Sequence, residues 1–164
     1  MDFNSRNHWN DEGYVTTLRY DDKEDDIIFG RRDNIEFENI LRVTYTFNNK
    51  MSFSLRLRHY WAKAEYDSFY LLGDDGELVP SDYNEFSDNS FNSFNLDANY
   101  RWRFAPGSDI FIVWKNNTTQ FDRLEENVRY DYFGGTRQLR DIPALNSLSL
   151  KIIYYLDYLS LKKG

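Results

Sequence analysis

Residues 94–104 read Phe-Asn-Leu-Asp-Ala-Asn-Tyr-Arg-Trp-Arg-Phe, and residues 109–114 read Asp-Ile-Phe-Ile-Val-Trp. In the first run Phe94, Leu96, Ala98, Tyr100, Trp102 and Phe104 alternate with Asn95, Asp97, Asn99, Arg101 and Arg103. A strand repeats every second residue, so the apolar set points to one face and the polar set to the other. Between the runs stands Ala105-Pro106-Gly107-Ser108, a tight-turn sequence. The stretch 91–115 therefore predicts a β-hairpin with one aromatic face and one charged face. Alternation by itself leaves open whether the apolar face meets protein, as in a soluble sandwich, or lipid.

The same pattern recurs along the chain. Residues 14–20 are β-branched and aromatic and predict a strand. In 35–47, Ile35, Phe37, Leu41, Val43, Tyr45 and Phe47 share one face, and Glu36, Glu38, Arg42, Thr44 and Thr46 the other. After the turn Asn48-Asn49-Lys50, a strand over 51–66 sets Met51, Phe53, Leu55 and Leu57 against Ser52, Ser54, Arg56 and Arg58. Past His59-Tyr60-Trp61 the alternation loosens, as it does where a strand leaves its apolar environment. A last strand over 145–158 lines up Leu148, Leu150, Ile152, Tyr154, Leu156 and Tyr158. Residues 1–13 are expected as the end of a loop. The connections 21–33, 48–50, 67–92, 105–108 and 116–143 alternate long and short, so the short turns gather at one end of the sheet and the long loops at the other. Transmembrane β-barrels have this asymmetry, and the 9–11 residues a tilted strand needs to span a bilayer match 94–104 and 148–158. Tyr45, Trp61, Trp102, Trp114 and Tyr158 suit interfacial girdles.

Composition agrees with an all-β reading. The 164 residues suit one domain, and aromatics reach 18% while hydrophobic residues total 41% and mean hydropathy is −0.74. Large rings carry the apolar load, and no long stretch has the i, i+3, i+4 pattern of a helix. A net charge of −7 argues against a nucleic-acid partner, which needs a concentrated basic face. There is no cysteine, hence no disulfide framework and no thiolate metal site. The start lacks the basic and apolar regions of a signal peptide, and no apolar run is long enough for a transmembrane helix.

Tyr14-Val15-Thr16-Thr17, Ile28-Phe29-Gly30-Arg31-Arg32-Asp33, the strand pair 41–47 and 51–57, and the run from Tyr100 through Ala105-Pro106-Gly107-Ser108 to Trp114 together carry a family likeness. The chain, from about residue 14 to its end, resembles the C-terminal barrel region of a Bacteroidota outer-membrane protein family. In that family a family-nine carbohydrate-binding-like module precedes a large domain of unknown function that forms the barrel. The resemblance implies an outer-membrane location in a Gram-negative bacterium and a link to carbohydrate binding or uptake through an upstream module absent from this sequence. No carbohydrate-binding residue carries over. The chain departs from the usual outer-membrane signal in that Leu159 to Gly164 follow Tyr158, where an aromatic residue normally closes the last strand.

Other chemistry is weakly signalled. The acidic run Asp21, Asp22, Glu24, Asp25, Asp26 and the group Asp74, Asp75, Glu77 lack the spaced ligand pattern of a calcium loop and read as solvated surface. His8 and His59 stand apart without metal-ligand spacing, and His59 reads as a side chain at a strand's outer end. Asp131 with Asp122 or Glu125 is the kind of carboxylate pair a glycosidase uses, at a frequency chance supplies in so acidic a chain. Loop aromatics (Tyr66, Phe69, Tyr70, Tyr83, Phe86, Phe121, Tyr130, Tyr132, Phe133) stack on glycans or partners in one reading and pack the loops in another.

The expectation is an all-β, antiparallel up-and-down meander of about six strands over 1–164, the C-terminal part of a larger transmembrane β-barrel. No cofactor, metal or catalytic residue is expected. Arg42, Arg56, Arg58, Asp97, Arg101 and Arg103 are expected toward the lumen, as a pore lining or as a cross-strand ion-pair network. Leu41, Val43, Tyr45, Phe53, Leu55, Leu57, Phe94, Leu96, Tyr100, Trp102, Leu150, Ile152 and Tyr154 are expected toward lipid. The expected partners are outer-membrane lipid, the remaining strands of the barrel from a longer parent or another subunit, and other outer-membrane proteins. The role is structural, transport or partner scaffolding. The alternative is a soluble β-sandwich or small barrel that binds a ligand or glycan.

Overall fold

The computed structural model describes residues 2–22, 24–124, 131–139 and 141–156. In chain order these form β1 (Asp2–Leu18), β2 (Asp26–Asn48), β3 (Met51–Leu72), β4 (Leu78–Pro80), β5 (Asn89–Ala105), β6 (Ser108–Arg123), α1 (Tyr132–Gln138) and β7 (Leu145–Ile153). All seven strands are antiparallel and lie in one sheet of order β1-β2-β3-β5-β6-β7, with the short β4 paired only to β3. Sheet neighbours are chain neighbours, so the sheet is a meander. Among the described residues it does not close on itself: β1 and β7 are its borders.

The short turns have local causes. Between β5 and β6, Pro106 fixes the first turn position and Gly107, at φ 71°, takes a left-handed conformation that a side chain would resist. Between β2 and β3, the Asn48 Oδ1 accepts from the Lys50 N–H at 2.8 Å, an Asx turn. The connections 49–50 and 106–107 lie at one end of the sheet, and the breaks between β1 and β2, between β3 and β5, and between β6 and β7 fall at the other.

Strands run longer than alternation foretold. Residues 2–13 are not a loop but the first part of β1, in register with β2 from Asp2 opposite Ile40 to Gly13 opposite Gly30. Residues 27–33 likewise belong to β2. Residues 2–13 are largely polar on both faces, and 27–33 set Ile27, Ile28 and Phe29 in succession before Gly30-Arg31-Arg32-Asp33, so neither segment carries a period-two signal; the backbone ladder, the burial of Ile28 and the Arg31–Glu12 and Arg32–Asp11 ion pairs hold them. A bulge between His8 and Asp11, where Asn10 sits at φ 56°, further disguises β1. β7 ends at Ile153, short of the expected 158; Tyr154 to Leu156 follow outside the strand, and Tyr158 lies outside the described residues.

α1 interrupts what reads as a loop. Its Gly134-Gly135 pair is poor helix material, and tertiary contact overrides it. Asp131 caps the helix by accepting from the Gly134 N–H at 2.6 Å. A side chain at Gly135 would put its Cβ 2.9 Å from Trp61 Nε1, so glycine is what lets the helix seat on the sheet. Elsewhere most of the sheet is one layer thick. Among the described apolar residues only Ile28, Trp61, Ala64 and Leu124 are buried, and all belong to the half with the long loops.

Candidate functional site

The register turns the single-strand alternations into two continuous faces. On one face Met51, Trp102, Ile110 and Ile152 oppose one another in turn. The next row is Tyr45, Phe53, Tyr100, Ile112 and Leu150, and the next Val43, Leu55, Ala98, Trp114 and Leu148. Leu41, Leu57 and Leu96 begin a fourth row, which ends polar at Asn116 and Asn146. These rows form an apolar band across β2, β3, β5, β6 and β7, from the short turns to about the level of Leu57. Met51 to Leu57 spans about 20 Å along the strand. Among the described residues no second layer covers the band: Leu148 is 75% and Leu150 64% exposed, and Val43, Tyr45, Trp102, Ile112 and Trp114 are exposed as well. The expected lipid-facing residues other than Tyr154 lie on this face within their strands. Phe94 is one row beyond the band, opposite His59. Tyr154 lies past the end of β7, with its ring 6.2 Å from Phe104 and parallel to it.

The opposite face gathers the charges. Arg42, Arg56, Arg58, Asp97, Arg101 and Arg103 lie there together, with Arg42 opposite Arg56 and Arg56 opposite Asp97. Arg58 Nε donates to Glu38 at 2.7 Å; Arg101 and Arg103 converge on Asp109 at 3.0 and 3.4 Å; Arg42 meets Asp2. Lys115 approaches Asp97 at 4.0 Å. A shallow cavity of about 320 Å³ opens on this face among Asn4, Arg6, Glu36, Glu38, Arg58 and Tyr60. The ion pairs are largely exposed, and each contributes little by itself in water.

Past the band, on the apolar side, the rows turn polar and α1 covers them. His59 is a hub there, not an outer strand end: it is only 6% exposed. Its Nε2 lies 2.9 Å from Asn92 Oδ1, a side-chain amide oxygen that only accepts, so in this arrangement Nε2 carries the ring proton. Nδ1, 3.0 Å from the Tyr132 hydroxyl, then accepts from it, and Asn39 Nδ2 donates to the same hydroxyl at 2.9 Å. The Tyr132 ring sits among Phe37, His59 and Trp61, with centroids 5.5, 5.3 and 6.0 Å away. Burial lowers the imidazole below its ordinary value, opposed by the Asn92 hydrogen bond. This hub was invisible in the sequence because its members come from β2, β3, β5 and α1.

Two of the carboxylates considered for catalysis hold local structure. Asp131 caps α1, Asp122 accepts from Gln120 at 2.5 Å, and Glu125 lies outside the described residues. Asp75 accepts from the Glu77 N–H and so shapes a turn.

Comparison with known proteins assigns a family. Residues 1–164 match the model of a family described as Domain of unknown function (DUF5916), and the chain belongs to that family. No curated protein and no solved structure matches.

Proposed function

We propose that this member of the DUF5916 family is a wall segment of a transmembrane β-barrel in an outer membrane, non-enzymatic, with a structural, transport or partner-scaffolding role. The observation that carries the reading is the uncovered apolar band. Five strands contribute to it, and the face behind it carries arginines and carboxylates. Contiguous apolar patches of this kind mark surfaces that another phase or partner covers. At the roughly 35–45° tilt of barrel strands the band stands about 15 Å tall, inside the roughly 25 Å apolar belt of outer-membrane barrels. The strands rise well beyond it: β3 has 22 residues, about 70 Å of extended chain. The upper part, where α1 packs on Phe37, His59 and Trp61, would stand clear of the bilayer.

The reading carries a demand. Unpaired backbone groups are not tolerated in hydrocarbon. The outer edges of β1 and β7 are unpaired among the described residues. Further strands, from a longer parent or another subunit, must therefore complete the wall. In such a barrel Arg42, Arg56, Arg58, Asp97, Arg101 and Arg103 line the lumen. The upstream carbohydrate-binding-like module implied by the resemblance would place that lumen in carbohydrate uptake.

Detergent dependence tests the proposal. The chain is expressed and assayed by circular dichroism and size-exclusion chromatography, in buffer and in micelles. The expected result is precipitation in buffer and a β-rich, monodisperse species in micelles. A monodisperse, β-rich chain in buffer overturns it, because the band is then covered by protein.

A further inference from the structure

A second cavity, of about 380 Å³, lies on the charged face at the long-loop end. Its floor comes from β1, β2, β3, β5 and β6, and its roof from residues 83–87 of the connection between β4 and β5. The size falls within the range of small-molecule sites.

The walls are held in place by contacts with one another. Arg32 donates to Asp11 through Nε and Nη2 at 3.2 and 3.1 Å, and to the Tyr66 hydroxyl through Nη1 at 3.0 Å. Tyr66 stacks on Phe69 at 5.9 Å, and Phe69 meets Tyr83 edge-on at 5.0 Å. The roof is tied down at both ends. The Ser81 N–H donates to the Phe69 carbonyl at 3.0 Å, and the Tyr66 N–H donates to Asp88 Oδ1 at 2.7 Å. Within it, the Tyr83 hydroxyl donates to Glu85 Oε2 at 3.1 Å and the Ser87 hydroxyl to the Glu85 carbonyl at 3.0 Å. A pocket so ordered loses little entropy on binding.

The lining selects a chemistry. Phe121 and Phe86 border the cavity with rings 63% and 44% exposed, an unusual expense of apolar surface on the polar side of the sheet. Flat, polar side chains line the same cavity: Glu85, Asn89 and Arg123. A lipid chain would leave these unpaired. A phosphate or polyanion would need an excess of cations, but Asp11 already matches Arg32, and Glu85 offsets Arg123. A ligand that suits both components has a flat C–H face for the rings and many hydroxyls for the planar donors and acceptors.

We propose that this cavity binds a neutral oligosaccharide, with a pyranose ring against Phe121 and hydroxyls on Arg123 and Glu85. The inference is independent of the membrane reading, since the cavity and the apolar band lie on opposite faces.

The test is calorimetric titration of the full chain, held in a detergent without a sugar headgroup, with maltohexaose, cellohexaose and mannohexaose. The expected result is saturable binding of at least one. Phe121→Ala and Arg123→Ala should each weaken it about tenfold or more, while Ser149→Ala at the far side of the sheet leaves it unchanged. Circular dichroism identical to wild type establishes that the variants are folded; Phe121→Leu, which keeps bulk but not the flat ring, repeats the test if Phe121→Ala is not. The proposal is overturned if none of the three sugars binds, if binding survives both alanine variants, or if a hexagalacturonate binds more tightly than every neutral sugar. None of these outcomes depends on whether the chain folds in buffer or only in micelles.

Discussion

Leu150→Lys separates lipid from water as the medium facing the apolar band. Leu150 ends the row Tyr45, Phe53, Tyr100, Ile112, Leu150 and lies in the middle of the band's height. It is 64% exposed in the sheet, so little of its side chain touches protein. If water bathes this face, a lysine here is an ordinary surface substitution and changes stability by no more than about 0.5 kcal/mol. If hydrocarbon bathes it, a lysine near the bilayer midplane costs about 2–4 kcal/mol. At about 1.4 kcal/mol per decade, that is a shift of roughly 30- to 700-fold in the folding equilibrium. The matched control is Ser149→Lys, one residue away on the charged face, expected to stay within about 0.5 kcal/mol. The assay is urea unfolding in phospholipid vesicles, followed by tryptophan fluorescence. The reasoning is refuted if Leu150→Lys and Ser149→Lys unfold together with wild type. A large cost for Leu150→Lys in a chain that also folds in plain buffer refutes the lipid assignment in a different way, since protein then covers the face.

Three other perturbations probe the half with the long loops. A Cβ at Gly30 would lie 2.4 Å from the Tyr66 ring, so Gly30→Ala must displace that ring from Arg32; it should cost about 1–3 kcal/mol, and an unchanged unfolding midpoint would count against the packing described. Tyr132→Phe leaves Asn39 without its acceptor and His59 Nδ1 without its donor, a loss of about 1–3 kcal/mol confined to the docking of α1; faster amide exchange in 131–139 with unchanged exchange in β5 is the expected signature. Because burial lowers the His59 pKa, the folded state disfavours the imidazolium. The contribution of a neutral His59 is complete above its unfolded value, about 6.5, and is lost as pH falls from there through the lowered folded value. Fluorescence of Trp61, in a background with the other tryptophans replaced by Phe, should report this loosening of α1, and His59→Gln should flatten the profile; a wild-type signal that does not change in that window would show that the imidazole does not hold the helix.

Sequence by itself determined the half of the sheet near the short turns. Period-two alternation from Leu41 to Phe47, Met51 to Leu57, Phe94 to Phe104 and Leu148 to Ile152 needs no long-range information, because one face is apolar and the pleat does the sorting. The turns at Asn48 and at Pro106-Gly107 were equally local. In the other half the alternation fails, because both faces carry polar groups, and segments such as 2–13 and 27–33 depend on backbone pairing, cross-strand ion pairs and the burial of Ile28. α1 is the extreme case: two glycines argue against a helix, and only the close seat on Trp61 and the ring of Tyr132 explain it. The tertiary structure also decided which side chains meet. It aligned separate apolar stripes into one uncovered band, made a buried hub of His59, and folded residues 83–87 over a cavity whose members lie more than a hundred positions apart. Register and loop placement are properties of paired strands, and no single strand carries them.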